Sequence, residues 1–387
     1  MKRETDTGLK MIPRSPFTVM IRLMHQTFDI PRIQSSSNSR ALFSSWKVDS
    51  NTGIVSSNEK GSPRFQTVIG LEIHAQLNIP TKLFSSCPRP TSTFAKPNSH
   101  IRPFDVSVPG FLPRLSREAV HAAVLSAAAL KCEIPHMSRF ERKHYFYADL
   151  PLGYQVTQQR WPLAREGVLL CQFKPKKNGE KPMADSSFSP RIERIQLEQD
   201  TGKTTMMTRK DGTIDSLVDF NRAGCALIEI VFHPDLRSSI QAATTVETLR
   251  NLLRHIGTCD GKMEEGSLRC DLNVSIAPVD GEGDILKRTG KRVEVKNLNS
   301  LRQIQVAAEY EAIRQVKALL DEKPTDQETR TFEVKSGKTI VMRTKEGAKD
   351  YRFMPEPDLP PIILSREVGI CIRRSADEEL SSNTKMF

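Results

Sequence analysis

Three observations predict an α+β fold, an antiparallel sheet flanked by helices. Segments with period-two alternation recur from Phe65 onward, and their outward faces are polar instead of continuously apolar. Three longer segments carry a helical stripe. No G-x-x-x-x-G-K-[ST], G-x-G-x-x-G or G-x-S-x-G occurs, so P-loop, dinucleotide-binding and hydrolase readings lose the turns that would carry their chemistry.

In chain order, Thr67 to Leu77 turns Leu71, Ile73, Ala75 and Leu77 one way and Glu72, His74 and Gln76 the other. Ser116 can cap an Ala-rich helix from about Arg117 to Lys131. Arg191 to Asp200 alternates Ile195 and Leu197 with Arg194, Gln196, Glu198 and Asp200, then runs into Thr201-Gly-Lys203. A helix from Ile240 to Ile256 carries Val246, Leu249, Leu252, Leu253 and Ile256 on one stripe and stops at Gly257. Met263 to Ile276 reads as one strand, with Ser267, Arg269, Asp271 and Asn273 on one face and Leu268, Cys270, Leu272, Val274 and Ile276 on the other. Val293 and Val295 alternate with Glu294 and Lys296 as a fourth strand. Ser300-Leu-Arg-Gln303 is a capping box opening a helix through Leu320, whose buried side is Leu301, Ile304, Ala308, Ile313, Val316 and Leu320. Residues 174–190 and 278–292 have loop composition, and Pro355 to Pro361 is too proline-dense for anything but a rigid extended edge. There is no internal repeat and no heptad array.

The chain has 387 residues, 38% hydrophobic and 27% charged, with net charge +11. Its length fits about two domains or one large one with appendages. No apolar run approaches the ~18 to 20 residues that cross a bilayer, so no membrane span is expected. Residues 1–60 hold nine Lys/Arg and five Asp/Glu, leaving +7 for the rest, so the body is basic by itself and suits a polyanion such as RNA. From Met11 to Ser45, four arginines and seven serines face one acid, Asp29, the composition of an organellar transit peptide. Glu4 and Asp6 fit such a leader poorly, which points to Met11 or Met20 as the working start; a disordered basic tail is the other reading. The seven cysteines are scattered singly, without a C-x-x-C pair, and read as reduced thiols.

Collected, the polar strand faces offer carboxylates at Glu72, Glu198, Asp200, Glu265, Asp271 and Glu294, an imidazole at His74, and cations at Arg269 and Lys296. Hard oxygen donors with one histidine suit Mg²⁺ or Mn²⁺ better than zinc, and Arg and Lys can clamp phosphate. Such a sheet can position ATP for phosphoryl transfer without a glycine-rich loop. Each piece also has a plainer reading: His74 as a core histidine, Glu264-Glu265 as a solvated turn before Gly266, and the Arg269–Asp271 face as a solvated surface with a local ion pair.

Six motifs carry a resemblance. Val68-Ile-Gly-Leu-Glu-Ile-His74, Tyr145-Phe-Tyr-Ala-Asp-Leu-Pro-Leu-Gly-Tyr-Gln155, Val218-Asp-Phe-Asn-Arg-Ala-Gly224, Met263 to Ser275, Val295-Lys-Asn-Leu-Asn-Ser300 and Asp350 to Pro360 closely resemble the GatB/GatE subunits of the tRNA-dependent glutamyl/aspartyl amidotransferases, in order, over about residues 66–370. The resemblance implies a glutamine-synthetase-like cradle domain. It also implies a reaction in which misacylated Glu-tRNA(Gln), ATP and Mg²⁺ give a phosphorylated glutamyl side chain, which ammonia from the amidase subunit converts to Gln-tRNA(Gln). A small third subunit is expected to tie the two large ones together, in the mitochondrial matrix. As ligands it implies Glu72, His74, Glu198 and Glu265. From chemistry, Arg269, Lys296 and Lys203 are assigned to phosphate, and Glu198, Asp271 and Arg269 to catalysis.

The chain departs from the family pattern at three places. Gln199 stands where the family has a carboxylate; Ala148 and Leu152 replace Pro and Lys; and the similarity ends near Ile370, leaving 371–387 as a divergent tail. The expected organisation is a leader over 1–60, a catalytic domain over 61–370, and missing C-terminal helical and tRNA-gripping domains, whose loss predicts weak tRNA affinity. A mis-called gene or alternative transcript is expected there before a natural minimal enzyme. A non-catalytic tRNA-binding scaffold and a free-standing kinase of a small metabolite are the competing readings.

Overall fold

A computed structural model describes residues 46–91, 95–173, 187–280, 284–286, 290–323, 325–344 and 350–365. The leader motif at 11–45 and the tail at 371–387 lie outside these residues. The strands are β1 Trp46–Val48, β2 Ile54–Ser57, β3 Arg64–Gln76, β4 Met137–Ser138, β5 Glu141–His144, β6 Tyr154–Thr157, β7 Ala164–Val168, β8 Cys171–Gln172, β9 Ser187–Phe188, β10 Arg191–Gln199, β11 Lys203–Thr208, β12 Ile214–Asp219, β13 Ala226–Phe232, β14 Leu268–Val279, β15 Val293–Leu298, β16 Glu328–Glu333, β17 Lys338–Thr344, β18 Met354–Pro355 and β19 Ile362–Ile363. The helices are α1 Arg117–Ala129, α2 Ser239–His255 and α3 Leu301–Leu320.

One large sheet dominates, in the order β17-β16-β15-β14-β3-β13-β10-β7, with β2 pairing onto β3 and β1 onto β2. Every neighbour along this path is antiparallel except β15 with β16. The α+β expectation therefore holds. Leu71, Ile73 and Ala75 of the long central strand β3 are at most 1% exposed and share one core with Val246, Leu249 and Leu253 of α2 and Ile304 and Ala308 of α3. Strand alternation sends their neighbours Glu72 and His74 to the opposite face. Over that face lies a small sheet, β18-β5-β6, in which Met354 and Pro355 pair with Arg142 and Glu141; the extended edge expected over Pro355 to Pro361 is thus realised only at its start, because the chain turns at Pro357 and Asp358.

The helix ends follow the sequence. Ser116, Ser238 and Ser300 each accept a hydrogen bond from the amide three residues on, at 3.2, 3.1 and 3.2 Å. The capping box of α3 is offset by one residue, because Gln303 Oε1 accepts from the Asn299 amide at 2.7 Å and not from Ser300. Gly257, at φ +70°, gives α2 the left-handed exit that a side chain would resist.

Several expectations need correction. Trp46 packs on Phe65 with ring centroids 6.2 Å apart and Val55 is fully buried, so the folded unit includes residues read as leader up to 60; strands of three and four residues are too short to show a period. Met263 to Gly266 is a turn, closed by the Gly266 amide on the Met263 carbonyl at 3.1 Å, and the strand begins at Leu268. The buried face of α3 includes Ala307, Glu311 and Gln315, while Leu301, Ile313 and Leu320 are only partly buried. The fully buried Glu311 on this face accepts from Arg314 at 2.6 and 2.9 Å and from Thr339 at 3.0 Å, a paired charge that tolerates the interior.

All six described cysteines are free and buried. Burial pushes the Cys259 thiol up to about 11, and those of Cys132 and Cys225 up to about 12. Thiolate is the nucleophile, so iodoacetamide at pH 7.5 should leave these six unmodified in the native protein and label all of them in urea. Peptide mass spectrometry checks this, and a rapidly alkylated native site among them would contradict it.

Candidate active site

Strand register assembles the polar face. Gln196 lies opposite Glu229, Glu229 opposite His74, and His74 opposite Arg269, which makes a single row across β10, β13, β3 and β14. One step along, Glu72 lies opposite Asp271. A register shift between Cys270 and Leu272 brings Lys296 of β15 to the same place. Side chains across antiparallel strands stand close enough to interact, so local alternation and register alone create a common patch. The result is a cavity of about 320 Å³ lined by Glu72, His74, Glu198, Asp200, Arg269, Asp271 and Lys296, with Lys143, Tyr145 and Gln155 from the covering segment.

Two carboxylate clusters share the imidazole. His74 Nε2 lies 3.7 Å from Glu198 Oε2, 3.8 Å from Glu229 Oε2 and 3.9 Å from Glu72 Oε1. Among the described residues, His74–Glu198–Glu229 and Glu72–His74–Asp271 are the groups whose ligand atoms all lie within 4.8 Å of one another. Donors about 2.1 Å from an octahedral Mg²⁺ are about 3.0 Å apart when adjacent and about 4.2 Å when opposed, and the 3.7 to 3.9 Å spacings at His74 fall between these two values. They are too long for hydrogen bonds.

Glu198 is 1% exposed and fully held. Thr157 donates to its Oε1 in a short hydrogen bond, Gln196 donates to Oε1 at 3.0 Å, and Gln155 donates to Oε2 at 3.2 Å. Gln196 also donates to Glu229 Oε2 at 2.7 Å. These amides orient the carboxylates without neutralising them. Burial first, then the charges of Glu198 and Glu72, push the Glu229 carboxyl well above the ordinary carboxylate range. A divalent cation among these groups would remove that conflict, so the donor set fits Mg²⁺ or Mn²⁺.

The cations form the other half of the cavity. Lys296 Nζ lies 2.5 Å from Asp271 Oδ2 and 3.1 Å from Glu294 Oε1. Burial alone would lower the ammonium, but these two carboxylates outweigh it and hold the lysine above its ordinary value. Arg269 Nη2 donates to Asp200 Oδ1 at 3.1 Å, and Arg222 Nε sits 3.4 Å from Asp200 Oδ2. Asp200 holds Arg269 charged, while the buried Arg269 Nε has no hydrogen-bond partner. The guanidinium as a whole lines the cavity and is 31% exposed, a fixed positive charge that fits an anionic oxygen.

The structure therefore brings together Glu72, His74, Glu198, Arg269, Asp271 and Lys296. It does not bring in Glu265 or Lys203. Glu265, which the resemblance implied as a ligand, sits in the turn before β14, pairs with Lys262 at 3.0 Å and is 41% exposed, as the plainer reading of a solvated turn has it. Lys203 opens the exposed β11–β12 hairpin and is outside the cavity lining. Gln199 points away from the cluster, donating to the Tyr154 carbonyl at 3.4 Å, so the loss of a carboxylate there leaves the donor set intact.

Glu229 was absent from the expected site. Its signal is a lone carboxylate inside the apolar run Ala226-Leu-Ile-Glu-Ile-Val-Phe232, since a charge in a buried strand needs a partner. Gln155 and Thr157 come from β6, and no local pattern shows that this strand will cover β10.

Comparison with known proteins adds a family. The profile of the GatB/GatE catalytic domain matches residues 67–369. The chain is 44% identical over 355 residues to the B subunit of a mitochondrial glutamyl-tRNA(Gln) amidotransferase of Phytophthora infestans, covering 79% of this chain and 61% of that protein. It is 48% identical over 302 residues to the B subunit of a chloroplastic/mitochondrial glutamyl-tRNA(Gln) amidotransferase of Ostreococcus tauri, covering 78% and 55%. It is 45% identical over 306 residues to the B subunit of an aspartyl/glutamyl-tRNA(Asn/Gln) amidotransferase of Rippkaea orientalis, covering 79% and 60%. The chain thus spans between 55% and 61% of the length of these relatives.

Proposed function

This chain belongs to the GatB/GatE catalytic-domain family, and from that we propose that it is the carboxylate-activating subunit of a glutamine-dependent amidotransferase converting Glu-tRNA(Gln) to Gln-tRNA(Gln). The observation that carries the reading is the cavity in which His74 faces three carboxylates while Arg269 and Lys296 stand opposite. The substrates are misacylated tRNA, ATP and ammonia, the last from a separate amidase subunit. The complex includes a small third subunit.

When bound, Mg²⁺ neutralises phosphate charge and ATP supplies the phosphoryl group for the glutamyl carboxylate. His74, Glu198 and Glu229 would hold one ion, and Glu72 with Asp271 the adjacent position. Arg269, whose side chain is 31% exposed and held by Asp200, presents its guanidinium charge to an anionic oxygen of phosphate or carboxylate. Lys296, kept charged by Asp271 and Glu294, sets the opposing positive charge. These groups are already fixed by their neighbours, so little reorganisation is needed as charge develops. Placement in the mitochondrial matrix fits the composition of residues 11–45 and the names of relatives from Phytophthora infestans and Naegleria gruberi.

The chain with its partner subunits should form Gln-tRNA(Gln) from Glu-tRNA(Gln), glutamine, ATP and Mg²⁺. Absence of ATP-dependent product at any tRNA load contradicts the proposal. Turnover of ATP without tRNA would favour a kinase of a small metabolite, and complex formation without turnover a scaffold. Glu265→Gln and Lys203→Ala, outside the cavity, should each change the rate by less than about twofold, as surface substitutions usually do. A loss of tenfold or more in a steady-state assay would return either residue to the site.

A further inference from the structure

The polar cavity does not explain the aromatic row that leads out of it. Tyr145, which lines the cavity, packs edge-to-face on Tyr147 with centroids 5.6 Å apart and on Tyr351 at 6.1 Å, and Tyr351 continues to Phe353 at 6.0 Å. Lys143 Nζ lies 5.0 Å from the Tyr351 centroid and 5.9 Å from that of Tyr145. Beside this row, Phe146 is 86% and Tyr147 53% exposed. Large exposed aromatics at the edge of a site ask for a ligand.

Their segment is held rigidly. The Tyr145 amide bonds the Gly153 carbonyl at 3.3 Å, Gly153 bonds Leu150 at 2.9 Å, and Leu150 bonds Tyr147 at 3.0 Å. The far side is tied by the Gly202 amide to the Asp149 carbonyl at 2.8 Å and by Thr204 to the Asp149 carboxylate at 3.1 Å. Gly153, at φ +74°, leaves room for the Phe146 ring, which would stand only 3.2 Å from a Cβ there. One edge of that ring is supported while most of it faces water.

We propose that Phe146 and Tyr147 form a stacking platform for the 3′-terminal nucleoside of the aminoacylated RNA, with Lys143 beside it. This rests on the function proposed above. An aminoacyl ester joins the ribose oxygen to the glutamyl side-chain carboxyl carbon through five bonds, about 6 Å when extended. A carboxylate placed at the metal and phosphate groups therefore leaves its nucleoside near the cavity mouth, one or two rings out from Tyr145. Unpaired RNA ends are bound by aromatic stacking with nearby cations, and the +7 charge of the body beyond residue 60 favours the same partner.

The test uses the full chain and fluorescence anisotropy with two RNA minihelices, one ending in CCA and one lacking the terminal adenosine. The trimmed RNA should bind at least about fivefold more weakly, the scale of one lost stack. Phe146→Ala combined with Tyr147→Ala should erase the difference, whereas Tyr147→Phe should retain it; unchanged thermal unfolding shows that these exposed positions leave the fold intact. The proposal is overturned by equal binding of the two RNAs, by binding of neither, or by a preference that survives the double alanine variant. Failure of that variant to assemble with the amidase, with the RNA preference retained, overturns it in favour of a protein contact. Gln-tRNA(Gln) formation by the wild-type complex is measured separately: its absence with the adenosine preference intact counts against the proposed reaction and not against the platform.

Discussion

Replacing Glu229 with glutamine is expected to reduce Mg²⁺-dependent transamidation at least about 100-fold, while leaving the metal-free protein as stable as the parent or more so. The opposite signs follow from one cause. In the absence of a cation, Glu229 is a buried carboxyl pushed upward by burial and by Glu198 and Glu72, so a neutral isostere relieves repulsion. The same change would remove one of the three side chains, His74, Glu198 and Glu229, that could hold a divalent ion, and with it the charge neutralisation such an ion would supply to phosphate. Thermal unfolding with and without MgCl₂ separates the two effects, because a ligand that binds only the folded state raises the melting temperature. The parent should show the Mg²⁺-dependent rise, and Glu229→Gln should lose it. A variant with normal activity, or an unchanged Mg²⁺ response, would assign Glu229 a purely structural place.

Lys296→Met should have an effect of similar size by a different route. The ammonium lies between Asp271 and Glu294, and its removal leaves those carboxylates facing each other with Glu72 nearby. The expected cost in kcat is about 100-fold, typical of losing one preorganised charge in a reaction centre. Because Lys296 is 32% exposed, the stability cost should be only about 1–2 kcal/mol, below that of breaking a fully buried pair. The pH dependence has a definite sign. Carboxylate contacts raise the folded-state value of Lys296 above its unfolded one, so their stabilisation is fully present below the ordinary lysine range of about 10.4 and is lost only as pH rises through the higher folded value. The rate should therefore show no alkaline limb from Lys296 between pH 7 and 9. Lys296→Arg, which keeps the charge, should recover more activity than Lys296→Met. Equal rates for the two variants would argue against a charge role.

Much of the cavity was legible because alternation is a local property. Glu72 and His74 in β3, Glu198 in β10, Asp271 and Arg269 in β14, and Lys296 in β15 each stand on the polar face that period two assigns them. Their convergence was not legible, because it depends on register between strands up to two hundred residues apart. Glu265 shows the limit from the other side. The resemblance implied it as a ligand, yet the turn at Met263–Gly266 leaves its side chain on Lys262 and outside the cavity lining. Glu229 shows a third limit, since an apolar strand with one carboxylate resembles a buried strand more than a site until its neighbours Gln196 and His74 are in place. The same applies to the parallel pairing of β15 with β16, made across the whole of α3. Helices were simpler to read: caps and stripes lie within a few residues, although Leu252 of α2 is only partly buried and the buried face of α3 carries the paired Glu311 in place of Ile313.

The central claim is that this cavity activates the glutamyl carboxylate of a misacylated tRNA. The most direct measurement is ADP release by the chain with its partner subunits, in Mg²⁺ and without glutamine or ammonia, comparing Glu-tRNA(Gln), Gln-tRNA(Gln) and no tRNA. ADP should form with Glu-tRNA(Gln) alone, and Glu198→Gln should reduce it to the level without tRNA. Equal ADP release with all three, or full release by Glu198→Gln, would contradict the claim.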